Sequence, residues 1–173
     1  ADISGLINGN ITVTADVSDV AGNPAPQATK TITLDNVAPA TTITGIDISA
    51  DTGTSGSDFE TNTTAQTVTA TLSAALATGE ILYGSVDGGT TWANITSFVP
   101  TGTTAITWTG TGVSLSGISS IKFKVTDAAG NDGAVATQTY VLDATAPTTT
   151  ISGIGISADT GTSGSDFETN TTA

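Results

Sequence analysis

The chain has no cysteine, no methionine, no histidine and no arginine, and only three lysines. Without cysteine there is no disulfide framework, no thiolate nucleophile, no zinc finger and no iron–sulfur cluster. Without histidine there is no imidazole base, no histidine-containing triad and no haem held by histidine. Soft and borderline metals lose their usual ligands, which leaves oxygen-seeking ions such as Ca²⁺ or Mg²⁺. Three lysines against 16 acidic residues give a formal net charge of −13. So few cations cannot build a phosphate-binding surface, which argues against nucleic acid as a partner, and the acidity disfavours anionic membranes. No stretch approaches 18 consecutive apolar residues and no secretion leader is visible, so no membrane insertion is expected in these residues.

What the chain does have is threonine, 38 of its 173 residues, while Leu, Ile, Val and Phe together number 37. That apolar content lies just above the level that marks disorder. It also has an internal repeat. Residues 39–65 (PATTITGIDISADTGTSGSDFETNTTA) and 147–173 (PTTTISGIGISADTGTSGSDFETNTTA) agree at 24 of 27 positions, at an offset of 108. The same offset aligns 17–38 with 125–146 at 11 of 22 positions, including Asp19/Asp127, Gly22/Gly130, Asn23/Asn131, Leu34/Leu142 and Asp35/Asp143. A period of this length is one domain rather than a solenoid unit. The expected organisation is the C-terminal part of one repeat (1–38), a complete repeat (39–146) and the N-terminal part of the next (147–173), a window onto a longer tandem array.

The complete repeat reads as β throughout, with about seven strands over 41–48, 66–72, 81–86, 91–95, 105–108, 120–126 and 135–142. Val68, Ala70 and Leu72 alternate with Thr67, Thr69 and Thr71, and Ile121, Phe123 and Val125 alternate with Lys122 and Lys124. This is the period of a sheet with one buried and one wet face. Threonine suits it, because β-branching restricts χ1 and the hydroxyl tolerates solvent. Turn signals at Asp87-Gly88-Gly89, Thr101-Gly102-Thr103 and Ala129-Gly130-Asn131 separate the runs. Residues 71–78 (TLSAALAT) allow a short helical turn. The pattern predicts an all-β, antiparallel immunoglobulin-like β-sandwich. Val68, Leu72, Leu82, Ile121, Phe123, Val125 and Tyr140 are expected inside, and Trp92, Trp108, Tyr83, Phe123 and Tyr140 should supply the bulkiest core atoms.

Three pieces together, VTDAAGND (125–132), LDATAP (142–147) and ISADTGTSGSDFETN (48–62), resemble the bacterial immunoglobulin-like (Big) tandem repeats of giant Gram-negative surface adhesins and biofilm-associated proteins. VSDVAGN (17–23) and LDNVAP (34–39) carry the likeness into the preceding copy. The resemblance implies a cysteine-free, extracellular, cell-surface protein exported in one step, whose repeats bind Ca²⁺ and hold an adhesive tip away from the cell. It speaks to the stalk and not to what is gripped.

Three motifs bear on chemistry. The loop from Asp51 to Glu60 is acidic and rich in Gly and Ser, and is repeated as Asp159 to Glu168. Ca²⁺ takes six to eight oxygens from carboxylates, carbonyls and water. Asp51, Asp58 and Glu60, with Asp159, Asp166 and Glu168 in the copy, are therefore candidate ligands; the spacing is neither an EF-hand nor the glycine-rich calcium nonapeptide. The same residues also suit a polar loop that caps its own turns. Second, in a sandwich this loop should lie at the C-terminal pole beside Asp143, and Asp127 and Asp132 at the N-terminal pole beside Asp35. Each junction of an array would then gather acids that need a cation among them. Asp127 and Asn131 also suit a tight turn around Gly130. Asp47 becomes Gly155 in the copy and is left out. Third, Ser85-Val-Asp87-Gly-Gly89-Thr-Thr91-Trp92 resembles the Asp box of sialidase-type propellers, but the reading preferred is a β-hairpin in which Asp87 caps the turn and Trp92 packs back on the sheet, since a propeller would need several copies at shorter spacing.

The function expected is a structural extender in a secreted adhesin, rigidified by Ca²⁺ at domain poles and junctions, without catalytic activity. Its partners would be neighbouring repeats of the same chain, or further copies of the protein in an ordered assembly. The alternatives are a ligand-binding module for carbohydrate or protein, and an accessory domain of a secreted polysaccharide-degrading enzyme.

Overall fold

A computed structural model describes residues 5–110 and 113–172; the remaining positions of the N-terminal piece, two residues of the complete repeat and Ala173 lie outside it. Ten strands follow in order: β1 (Gly9–Ala15), β2 (Ala28–Leu34), β3 (Ile43–Ile48), β4 (Glu60–Thr61), β5 (Val68–Leu72), β6 (Ile81–Ser85), β7 (Ala93–Asn94), β8 (Ala105–Trp108), β9 (Ile118–Thr126) and β10 (Ala136–Leu142). One 3₁₀ turn, Thr96–Phe98, is the sole helical element among the described residues.

β3–β10 form two sheets, one ordered β3-β5-β8 and the other β4-β10-β9-β6-β7. Every pairing is antiparallel except the two-residue β4, which runs parallel to β10 through Val141↔Glu60 and Leu142↔Thr61. The expected leading strand, 41–48, is β3, whereas β4 arises within the stretch expected to be a loop and joins the other sheet. The sheets share one core, in which Ile43, Val68, Leu72, Ile106 and Trp108 meet Leu82, Ile121, Phe123, Val125 and Tyr140. Trp108 meets Phe123 edge to face, with ring centroids 5.9 Å apart, the geometry that aromatic quadrupoles prefer.

The seven residues expected to be buried are all buried, and Lys122 and Lys124 lie on the outer face of β9. β3 is less regular. Ile43 and Ile48, of opposite parity, are both buried because a register shift lies between Thr44 and Asp47, where Gly45 takes φ 63°. One inserted residue moves the following side chains to the other face. Two of the five aromatics expected in the core are not there. Tyr83 alternates with the inward-facing Leu82 and Gly84, so it points outward opposite Lys124, and Trp92 lies half-buried beneath the same lysine. Residues 73–78 form bends and a turn rather than a helical turn.

β1 and β2 make a separate two-stranded sheet. It pairs Ala15 with Ala28 and Thr14 with Thr29, the register that β9 and β10 adopt 108 residues later in Phe123↔Ala136 and Lys122↔Thr137. The turns match too. Asn23 donates its backbone N–H and its side-chain amide to Asp19 at 2.8 and 2.7 Å, and Asn131 does the same to Asp127 at 2.9 Å each. Among the described residues, 147–172 contribute no strand. Among the described residues, no helix is long and apolar enough to cross a membrane.

Candidate functional site

β3 delivers Asp51 to the pole at which β10 ends, and the loop returns through β4 before β5 begins. A buried glutamine, 5% exposed, ties its two ends together. Gln66 Oε1 accepts the Ala50 N–H at 2.9 Å and the Ser49 hydroxyl at 3.1 Å, while Nε2 donates to the carbonyls of Thr63 at 2.8 Å and Ala50 at 3.2 Å. The Thr61 hydroxyl adds a 2.6 Å bond to the Ala50 carbonyl.

Within the loop, Asp51 Oδ2 accepts the Phe59 N–H at 2.9 Å, and Asp58 accepts the N–H groups of Ser55 and Glu60 at 3.2 and 3.1 Å. Thr52 and Gly53 donate to the Glu60 carbonyl. Phe59 is held at φ 61°, a region costly for a bulky side chain. Gly53 is required by close approach, since a Cβ there would stand 3.0 Å from both Asp58 Oδ1 and Glu60 Cβ. One oxygen is left over: Asp51 Oδ1 is buried and has no hydrogen-bond partner among the described residues. A buried unpaired carboxylate oxygen is costly, and such atoms ask for an explanation.

The copy repeats this. Asp159 Oδ2 accepts the Phe167 N–H at 3.2 Å, Asp166 accepts Ser163 and Glu168 N–H groups, and Phe167 has φ 60°. Hydrogen bonding from the Glu168 backbone holds the Asp166 carboxyl below the usual carboxylate range. Asp159 Oδ1 is again buried and unpartnered.

The pairing of β4 with β10 sets Asp143 beside this loop, and the Asp143 N–H donates to the Thr61 carbonyl at 3.0 Å. Asp143 and Glu60 line one surface cavity of about 250 Å³ with Thr52, Gly53 and Asn62. At the opposite pole, Asn131 Nδ2 donates to the Asp35 carbonyl at 3.1 Å, so the linker does meet the loop before β10. The acids there have partners. Asp127 accepts bonds from Asn131, which hold its carboxyl below the usual range, and from the Ala129 N–H. Asp132 is bound to Lys124 at 2.6 Å and to the Thr126 hydroxyl at 2.6 Å, and its pKa is lowered by both. Asp35 accepts the Val37 N–H.

The structure therefore brings Asp51, Asp58 and Glu60 into one loop with Asp143 alongside, and Asp35 to Asp127 through Asn131. Among the described residues, no group of three acidic side chains converges closely enough to hold an ion. Gln66, the residue that fixes the loop, carries no sequence signal beyond being a polar residue at the buried end of an alternating run.

The Asp-box motif forms the capped hairpin. Asp87 accepts the Thr91 hydroxyl at 2.6 Å, the Thr91 N–H at 2.9 Å and the Ser85 hydroxyl at 2.7 Å, and these bonds drive its pKa far down. A carboxylate so held is a poor proton carrier at neutral pH. No known family model and no curated protein sequence matches the chain.

Proposed function

We propose that the chain is a segment of an extracellular stalk, in which immunoglobulin-like repeats of about 108 residues serve as spacers of a bacterial surface adhesin. The observation that carries this reading is the recurrence of one geometry at one offset. The β1–β2 and β9–β10 hairpins share a register, and the Asp51 and Asp159 loops share their hydrogen bonds. Near-copies in series extend length, whereas a catalytic or recognition site calls for a unique constellation. The placement of β3 and β4 in opposite sheets and the grouping of β3, β5 and β8 against β6, β9 and β10 support the immunoglobulin-like assignment. The absence of His and Cys from the sequence, together with the locked Asp87, supports a non-enzymatic role.

Calcium is the ion that the donor set suits. Asp51 supplies a buried oxygen that no group among the described residues satisfies. Glu60 and Asp143, which line one cavity at this loop, and Asp58 in the same loop supply hard carboxylate oxygens that an ion would have to draw closer together than they stand. A bound Ca²⁺ would supply positive charge that offsets their repulsion. In an array, the counterpart of Asp127 in a following repeat would fall at position 235, beyond the 173 residues of this sequence. The composite junction site would thus be half represented here.

The test is thermal melting and small-angle scattering of the chain in Ca²⁺ and in chelator. Ligand at 100 times its dissociation constant stabilises by about 2.7 kcal/mol. Ca²⁺ should raise the melting temperature, and Asp51→Asn should reduce that gain. Identical melting and maximum dimension in both conditions would overturn the calcium reading. A second reading, a ligand-binding module, is favoured by one observation: an open cavity of about 550 Å³ between Leu76, Glu80, Val99 and Pro100 at the other pole. Glycan-array binding abolished by Glu80→Ala would select it over the spacer.

A further inference from the structure

Three Asx–Gly steps occur in the sequence: Asn8–Gly9, Asp87–Gly88 and Asp132–Gly133. Such steps are chemically vulnerable, because a glycine amide nitrogen is unhindered and can attack the preceding side-chain carbonyl carbon. Two of them are protected. The Gly88 N–H donates to the Ser120 carbonyl at 3.0 Å and the Gly133 N–H to the Val125 carbonyl at 2.8 Å. Their carboxylates are pinned by Ser85 and Thr91, and by Lys124 and Thr126.

Asn8–Gly9 differs. It carries an amide rather than a carboxylate, so the displaced group is neutral ammonia. Both residues are exposed, and among the described residues a Cβ at Gly9 would meet nothing within 4 Å. Gly9 pairs with Leu34 only at the first register position of the two-stranded β1–β2 sheet, where strand ends open most readily. Asn8 Oδ1 accepts the Asn36 N–H at 3.2 Å, which draws electrons from Cγ. Among the described residues, Nδ2 makes a single long contact, 3.5 Å to Asp35 Oδ1. The counterpart step in the complete repeat, Ser116–Gly117, is equally exposed but has no amide.

We propose that Asn8–Gly9 is a site of spontaneous deamidation, through a succinimide, whose isoaspartate product releases the linker at Asp35–Asn36. The Gly9 nitrogen, losing its proton to hydroxide, bonds to Asn8 Cγ. The Cγ–Nδ2 bond breaks, and Nδ2 leaves with a proton from water as ammonia. One water then opens the ring. Attack at Cγ gives aspartate at position 8, and attack at the main-chain carbonyl gives isoaspartate, with an added methylene in the backbone at the start of β1. Either product replaces a donor facing Asp35 with a carboxylate, and like charges at that distance repel. Aspartate keeps an oxygen for the Asn36 N–H, whereas isoaspartate draws Cγ into the main chain and removes that acceptor from its place, so isoaspartate is the product that releases the linker. The Asp35 carbonyl is the acceptor of Asn131, so the released segment is the one that meets the complete repeat. The consequence for stalk stiffness rests on the spacer reading; the modification does not.

The experiment ages the full chain at mildly alkaline pH, measures ammonia, and maps peptides for aspartate and isoaspartate. Conversion is expected at position 8, faster at higher pH, with residues 87 and 132 unchanged. Asn8→Ser, the residue used at position 116, should lose that conversion completely. Amide exchange at Asn36 and Val37 should rise in the aged chain. Conversion at position 8 in denaturant but not in the folded chain would overturn the site. Conversion without faster exchange at Asn36 would overturn the release of the linker.

Discussion

Replacing Gln66 tests whether one buried amide holds the candidate site in shape. Gln66→Leu keeps the volume and removes the hydrogen bonds. Two losses are partly covered: the Ser49 hydroxyl still accepts the Thr67 N–H, and the Ala50 carbonyl still accepts the Thr61 hydroxyl. The Ala50 N–H and the Thr63 carbonyl lose the Gln66 bonds. Each orphaned, part-buried group costs about 1–3 kcal/mol, and the apolar leucine recovers part of it, so the expected net loss is about 2–3 kcal/mol. For a domain of about 100 residues, each kcal/mol lowers the melting temperature by roughly 4–8 °C. Gln66→Glu is the sharper variant. Its second oxygen would face the carbonyls of Thr63 and Ala50, so the folded state favours the protonated acid. The pKa is then raised above its unfolded value of about 4.3. Stability should be greatest below that pH and fall as pH rises through the folded-state value. Urea denaturation followed by fluorescence of the buried Trp108 measures both variants. A loss below about 0.5 kcal/mol for Gln66→Leu, within the ordinary range of surface substitutions, or a flat pH profile for Gln66→Glu, would refute the reasoning.

Gly84→Ala would place a methyl group 2.8 Å from Trp108 Cζ3 and 2.9 Å from Ile95 Cδ1; overpacking of this kind costs about 1–3 kcal/mol, and urea denaturation should show Ile95→Val recovering part of it in the double variant. Tyr140→Phe removes the hydroxyl that donates to the Val86 carbonyl at 2.7 Å, with an expected loss of about 1–2 kcal/mol in the same assay. Asp127 and Asp132 both titrate below the usual range, so the stability they lend is present above about pH 3.9 and lost as pH falls through their lower folded-state values; Asp127→Asn should flatten that part of the acid-unfolding profile.

The strands of the complete repeat were legible because alternation is a strong local signal. Val68, Leu72, Ile121, Phe123 and Val125 lie inside as the period of two requires. β4 was not legible, since a two-residue strand has no period and its partner is some eighty residues away. Nor was the outward position of Trp92 and Tyr83. Their bulk argued for the core, whereas the β6 register and the pull of Lys124 over both rings decided otherwise. At the candidate site, composition and spacing led to the acidic loop and topology led to Asp143. The engagement of Asp132 with Lys124 was hidden, because it depends on a cross-loop distance that no local pattern encodes.

The parallel contact between β4 and β10 has a mechanical consequence. A pull on the repeat is applied at residues 39–43, at one end, and at 142–147, at the other. Because β4 and β10 run the same way, the bonds Val141 N–H to Phe59 and Asp143 N–H to Thr61 lie across the direction of pull. Tension therefore shears them together, whereas an antiparallel hairpin pulled from its open end unzips one bond at a time. Two paired residues thus give the repeat resistance to stretching that its modest length of strand would not otherwise provide, and the acidic loop, covalently continuous with β4, sits where that resistance is set.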